Sequence, residues 1–130
     1  MEFRTKVELP AKGPKIQHTD RLMIWGSCFS EHIGNLLAEH KFNCDVNPFG
    51  VLYNPMSIVT SIQCLLKKAL YRTEDLREEQ GGWYSLMHHS TFSSHEAEDC
   101  LQKINQRIAQ GHENLKQADW IIFTWGSSFV

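Results

Sequence analysis

Apolar and polar residues alternate along this chain in blocks whose periods predict strands and helices in turn. Short apolar runs predict strands at about 21–26, 42–46 and 120–124, the last apolar enough to be covered on both faces of a sheet. Apolar residues at helical spacing predict one helix at about 29–40 and another that begins at Asn54-Pro55. The predicted buried face of the first helix consists of Ile33, Leu36, Leu37 and His40. That of the second consists of Ile58, Val59, Ile62, Leu65, Leu66, Ala69 and Leu70.

The segment between the second helix and the last strand has a less regular pattern. Its charged residues 72–80 and the glycine pair that follows predict an exposed loop, and residues 83–92 predict irregular chain or a short strand. Ser93 and Glu96 have capping-box spacing, which predicts a third helix that ends at Gly111 and is followed by a short helical turn. The predicted buried face of that helix consists of Cys100, Leu101, Ile104 and Ile108.

The alternation of strands and helices predicts an α/β fold of three layers, with helices flanking a parallel sheet as in flavodoxin. Right-handed crossovers make two-one-three the simplest strand order. We expect an extended N-terminal arm over residues 1–20 and a single domain over residues 21–130. Because the last apolar strand lies so close to Val130, the sheet is expected to be incomplete at the C-terminus. Its apolar edge would then favour self-association.

Composition excludes several classes of function. The chain has 130 residues, of which 42% are hydrophobic and 22% charged, as in one ordinary globular domain. With a net charge of −2 and no basic stripe, we expect no nucleic-acid partner. No apolar run is long enough to span a bilayer and residues 1–20 lack the apolar core of a signal peptide, so no membrane partner and a cytoplasmic location are expected.

Cysteine and histidine spacing gives no metal motif. The four cysteines have no CxxC spacing and are expected to be reduced thiols. A zinc site would have to combine His88, His89, His95 and Cys100, and adjacent histidines rarely bind one ion without further ligands at motif spacing. We therefore expect no metal and no cofactor.

Ser27 stands where the first predicted strand gives way to a helix, with Gly26 before it. A serine in that turn has its hydroxyl at the end of a strand and its amide at a helix N-terminus, as in a nucleophile elbow. The same pattern also fits a serine that only caps the helix. Cys28, in the first turn, is a second candidate nucleophile, or else a small apolar residue packed under the elbow.

Four segments carry a resemblance to a known family: Gly26-Ser27-Cys28-Phe29, residues 47–55, residues 87–90 and residues 124–127. Together they resemble the GSCFA family, which looks like a branch of the SGNH (GDSL-like) serine hydrolases. The resemblance runs from Leu22 to Val130 and implies an SGNH-like fold with Ser27 as the nucleophile.

Further roles follow from the same resemblance. Gly50 falls where a glycine amide contributes to the oxyanion hole, and Gly126 falls in the block that normally reads Gly-x-Asn. Here Ser128 occupies the asparagine position, so that side-chain donor is changed. Asn54 is a candidate substitute, although the proline that follows it favours a role as N-cap of the second helix. Ser27, Gly50 and Gly126 all follow predicted strands, so we expect them to form one crevice at the carboxyl edge of the sheet.

The resemblance implies a serine esterase that acts on small acyl esters or carbohydrate O-acyl esters. The family's catalytic histidine and its orienting acid would lie beyond Val130, so we expect this chain alone to have little esterase activity. His88 and His89 are expected to line the crevice, or else to form a surface pair. The alternative function is a non-catalytic domain that binds a ligand in the same crevice.

Overall fold

The computed structural model describes residues 3, 5–10 and 12–126. In chain order its helices and strands are β1 (Arg21–Gly26), α1 (Cys28–Glu39), β2 (Asn43–Val46), α2 (Pro55–Lys67), β3 (Arg77–Glu79), β4 (Gly82–Tyr84), α3 (Ala97–Gln117) and β5 (Trp120–Thr124). Short 3₁₀ turns lie at Thr73–Asp75 and Ser90–Phe92. The described residues before β1 form no helix or strand.

The central sheet is parallel and has the strand order β2-β1-β5, which confirms the predicted two-one-three order. Met23 and Trp25 of β1 point into a core formed with α2 and α3, whose buried members include Ile58, Leu65 and Ile104. The opposite face of the sheet is covered by α1. The fold is therefore α/β with helices on both faces of the sheet, as the sequence predicts.

The third helix is longer than its sequence pattern predicts, and its predicted ends at Ser93 and Gly111 are both wrong. Ser94 is held extended by a bridge to Trp83, with N–H to carbonyl distances of 2.6 and 3.0 Å, so α3 begins only at Ala97. Gly111 is buried inside the helix, where a Cβ would lie 2.9 Å from the side chain of Leu65. The glycine thus permits close packing of α3 on α2 instead of ending the helix.

The charged segment after α2 is not a plain loop. Strands β3 and β4 pair as an antiparallel hairpin, with Glu78 opposite Trp83. Gln80 and Gly81 form its two-residue turn and both have positive φ, 51° and 77°, which is the backbone of a type I′ turn. This hairpin was not predicted because its strands are short and carry the charge of a loop.

A buried ion pair fixes α3 against the sheet. Asp45 of β2 accepts hydrogen bonds from the guanidinium of Arg107 and, at 2.6 Å, from Asn114 Nδ2. Asp45 and Arg107 side chains are only 10% and 22% exposed, so the pair is largely shielded from water. Both partners on α3 hold the helix in register with β2.

Strand β5 was predicted to be covered on both faces, and within the described residues it is not. It pairs only with β1, and Ile121 and Phe123 are 47% and 37% exposed. Because Ile121 and Phe123 lie beside Met23 and Trp25 in the parallel register, they continue the face that α2 and α3 cover elsewhere. The described sheet thus has an apolar edge, as expected.

None of the helices in the described part of the chain combines the length and apolar composition needed to cross a membrane.

Candidate active site

Ser27 connects β1 to α1 and lies at the carboxyl edge of the sheet. It is the N-cap of α1, and its Oγ accepts a hydrogen bond of 3.3 Å from Phe29 N–H. The capping interpretation therefore holds, yet the bond is long and the residue is partly exposed. As the residue before the first helical turn, Ser27 has no partner within the helix for its own N–H. Its hydroxyl and amide thus lie together at the positive end of a helix.

Buried contacts beneath Ser27 hold the elbow in place. Ser30 is fully buried, and its hydroxyl donates to Trp25 O at 3.2 Å and contacts the hydroxyl of Thr124. Gly26 lies so close to Thr124 that a Cβ at this position would overlap it. The first turn of α1 is thereby tied to β1 and β5 at once.

Gly50 closes a tight turn that follows β2. Its N–H donates to Asn47 O at 2.8 Å, and its φ is +85°, a conformation that favours glycine. A side chain here would also overlap His89. The amide that the family resemblance assigns to the oxyanion hole is therefore engaged within the turn in this arrangement.

Asn47 joins the Ser27 elbow to the Gly50 turn. Its side-chain Oδ1 accepts from Gly26 N–H at 2.9 Å, and its own N–H donates to Ile24 O at 2.8 Å. Leu52 N–H adds a bond of 3.0 Å to Gly26 O. Asn47 was not predicted to be a site residue. The available signal was an Asn-Pro-x-Gly turn directly after a strand, which favours a residue that tolerates left-handed backbone.

The other predicted crevice residues have mixed positions. Asn54 caps α2, with its Oδ1 accepting from Met56 N–H at 2.7 Å. Gly126 packs against the backbone of Tyr53, where a Cβ would lie 3.3 Å from the carbonyl oxygen. Ser128 lies outside the described residues.

His88 is enclosed by aromatic rings. It stacks on Phe49 with ring centroids 4.2 Å apart and meets the edges of Tyr71 and Phe92 at 5.0 and 5.1 Å. Its Nδ1 is 2.9 Å from Ser85 Oγ, and its Nε2 is buried without a hydrogen-bond partner among the described residues. Burial lowers the pKa of His88 from 6.5 to about 4, so the ring is neutral at physiological pH.

His89 has different surroundings from those of its neighbour. It is exposed, and its Nδ1 accepts from Thr91 N–H at 3.3 Å. Its backbone N–H donates to Phe49 O at 2.9 Å, so it braces the Gly50 turn from outside. Both histidines border a cavity of about 160 Å³ whose other lining residues are Val51, Leu52, Ser57, Leu86 and Met87.

Cys28 is the first residue of α1 and is exposed, so it does not pack under the elbow as a small apolar residue. Among the described residues, no three His, Cys, Asp or Glu side chains are grouped to hold a metal ion.

Strand β1, the serine turn and the helix that follows define an α/β protein with an elbow-like serine at the edge of its parallel sheet. The family model of GSCFA matches residues 21–130, and the chain therefore belongs to the GSCFA family. Neither the curated proteins nor the solved structures contain a match.

Proposed function

We propose that this chain carries the nucleophile of an SGNH-like serine hydrolase that cleaves esters, with Ser27 as the attacking residue. The observation that carries the proposal is the position of Ser27, partly exposed between a parallel strand and the N-terminus of α1. Membership of the GSCFA family over residues 21–130 supports the same class of chemistry.

In the proposed reaction, Ser27 Oγ attacks the ester carbonyl carbon, the alcohol leaves, and water then releases the acid from the acyl-serine. The Ser27 N–H, at the helix N-terminus, is available to the oxyanion. Gly50 N–H contributes as the second donor. It either donates to the oxyanion and to Asn47 O at once or gives up its bond to Asn47 O. Ser128 or Asn54 would supply a side-chain donor in place of the family's asparagine.

The base in this proposal is the family's catalytic histidine, which by the resemblance would lie beyond Val130. A base must be able to accept the serine proton, either directly or through one water. His88 is unsuited to this role because its Nε2 is buried and its pKa is lowered to about 4. His89 is exposed, but its Nδ1 already accepts a hydrogen bond from Thr91 N–H and so is not free to accept the serine proton. The substrates we propose are small acyl esters or carbohydrate O-acyl esters.

A fluorophosphonate probe tests this proposal in the full-length protein. Attack by Ser27 Oγ forms an oxygen–phosphorus bond and expels fluoride, and the serine proton passes to the base. We expect labelling of the wild-type protein at Ser27, none in Ser27→Ala, and unchanged labelling in Cys28→Ala. Loss of labelling in Cys28→Ala, with retention in Ser27→Ala, would instead identify a thiol nucleophile.

A non-catalytic ligand-binding domain is the second candidate. The observation that favours it is the engagement of Gly50 N–H with Asn47 O, which occupies one expected oxyanion donor. Saturable binding of an acylated sugar to a wild-type protein that the probe does not label would support this function over hydrolysis.

A further inference from the structure

Asn47 is more than the first residue of a turn, because it is the link between the two segments of the proposed site. It is only 7% exposed and has left-handed backbone, with a φ of 46°. Its N–H reaches back to Ile24 O, and its carbonyl accepts from Gly50 N–H. These two bonds use only its backbone and would form with any residue that adopts this conformation.

The carboxamide adds a contact that the backbone does not provide. Its Oδ1 accepts from Gly26 N–H at 2.9 Å, and Leu52 N–H binds the carbonyl of the same glycine. Gly26 directly precedes Ser27. The hydrogen bonds from Asn47 and Leu52 therefore fix the peptide groups on both sides of Gly26, and with them the orientation of Ser27. Small displacements of a reacting atom are costly, and about 1 Å can change a rate by about 10²-fold.

The nitrogen of the same carboxamide gives an independent observation. Asn47 Nδ2 is buried and makes no hydrogen bond within the described residues. A buried donor without an acceptor costs free energy that an apolar side chain of this size would avoid. The contact to Gly26 through Oδ1 is therefore what the carboxamide provides at this position.

Resting on the proposed hydrolase function, we infer that Asn47 is a positioning residue for Ser27. Its carboxamide oxygen fixes the Gly26 amide and thereby sets the nucleophile relative to the glycine turn. Asn47 acts through Gly26 and does not touch the substrate.

Asn47→Gly isolates the carboxamide, because glycine adopts the left-handed backbone and keeps both backbone hydrogen bonds. In the full-length protein we expect its second-order rate of fluorophosphonate labelling at Ser27 to fall about 10- to 100-fold, at a temperature well below its unfolding midpoint. Asn47→Asp keeps an acceptor of the same shape for Gly26 N–H and should recover most of that rate. Asn114→Ala removes a carboxamide bound to Asp45, away from Ser27, and should label at the wild-type rate.

The outcomes separate the inference from the proposed function. Wild-type protein that shows no labelling dependent on Ser27 overturns the hydrolase proposal and the inference with it. Normal labelling of Asn47→Gly, or equal slowing in Asn47→Gly and Asn114→Ala, overturns only the role of Asn47. If Asn47→Gly does not fold, Asn47→Ala takes its place, since it also removes the carboxamide: labelling at least 10-fold slower in Asn47→Ala than in Asn47→Asp supports the role, and equal rates in the two folded variants overturn it.

Discussion

At the scale of single residues, the adjacent histidines 88 and 89 show how differently two copies of one residue type are used. The ring of His88 is largely enclosed and stacks on Phe49 behind the Gly50 turn. The backbone of His89 supports the same turn through Phe49 O, while its exposed ring accepts a hydrogen bond from Thr91 N–H. The segment thus stabilises the turn by packing and by a hydrogen bond.

His88 should make the free energy of unfolding depend on pH. The unfolded chain takes up a proton at His88 as the pH falls below 6.5, whereas in the folded protein the pKa is about 4. The folded state is therefore stabilised by this group above pH 6.5 and loses that stability as the pH falls toward 4. The slope is at most about 1.4 kcal/mol per pH unit.

Urea unfolding of wild type and His88→Phe at several pH values between 7.5 and 4 checks this prediction. Phenylalanine keeps a ring on Phe49 but cannot take up a proton, so other titrating groups cancel in the comparison. We expect the advantage of wild type over the variant to shrink steadily as the pH falls. A difference that does not change with pH would contradict the prediction.

The residues of the candidate site differ in how far sequence could predict them. Ser27 is a candidate because it follows a strand in a local turn pattern, and Gly50 is a candidate because it falls in a segment that resembles the GSCFA family. The contact between Asn47 and Gly26 could not be predicted because the two residues lie 21 positions apart and meet only once β1 and β2 are adjacent. The cage around His88 escaped for the same reason, since its rings come from three separate segments.

At the scale of elements, α1 packs on β2 through a glycine. Gly34 is buried, and a Cβ added there would overlap the side chain of Val46. This contact explains why the buried face of α1 centres on Ser30 and Gly34, while the predicted Leu36 is 44% exposed and His40 is exposed as well. Apolar spacing locates a helix, but a small residue decides which side approaches the sheet most closely.

Gly34→Ala should destabilise the protein, although the same change in an open helix stabilises it by roughly 0.5–1 kcal/mol. The added methyl group overpacks the contact with Val46, at an expected cost of about 1–3 kcal/mol in the free energy of unfolding. Val46→Ala in the same chain should recover part of that loss, because it makes room.

Chemical denaturation of the two single variants and the double variant measures this coupling. Asn35→Ala, on the exposed face of the same helix, is the control and should not destabilise. A Gly34→Ala protein as stable as wild type would show that α1 moves away from the sheet at little cost.

At the scale of the whole molecule, one edge of the sheet differs from the rest of the surface. Strand β5 has a strand partner on one side only within the described residues, and its exposed side chains include Ile121 and Phe123. Unpaired strand edges with apolar side chains favour association with another chain. We therefore propose that residues 1–130, studied by themselves, associate through β5.

Sedimentation velocity over a range of concentrations tests this association. We expect the wild-type chain to shift to larger species as its concentration rises and Ile121→Lys to remain a monomer, since a lysine on an edge opposes pairing. The control is Leu66→Lys on α2, where Leu66 is 61% exposed and lies away from β5; it should associate as wild type does. Loss of association in both variants would point to general apolar contact, and a monomeric wild type would contradict the proposal.

The bond from Gly26 N–H to Asn47 Oδ1 also has a consequence for how the chain reaches this arrangement. It closes a loop of 21 residues, whereas the bond from Arg21 N–H to Asp119 at the start of β5 spans 98. By the logarithmic dependence of loop-closure entropy on length, the longer closure costs about 1.4 kcal/mol more. Ser27 and the Gly50 turn thus belong to a unit that loses less loop-closure entropy on assembly than the pairing of β5 does, so this part of the sheet can form before β5 joins it.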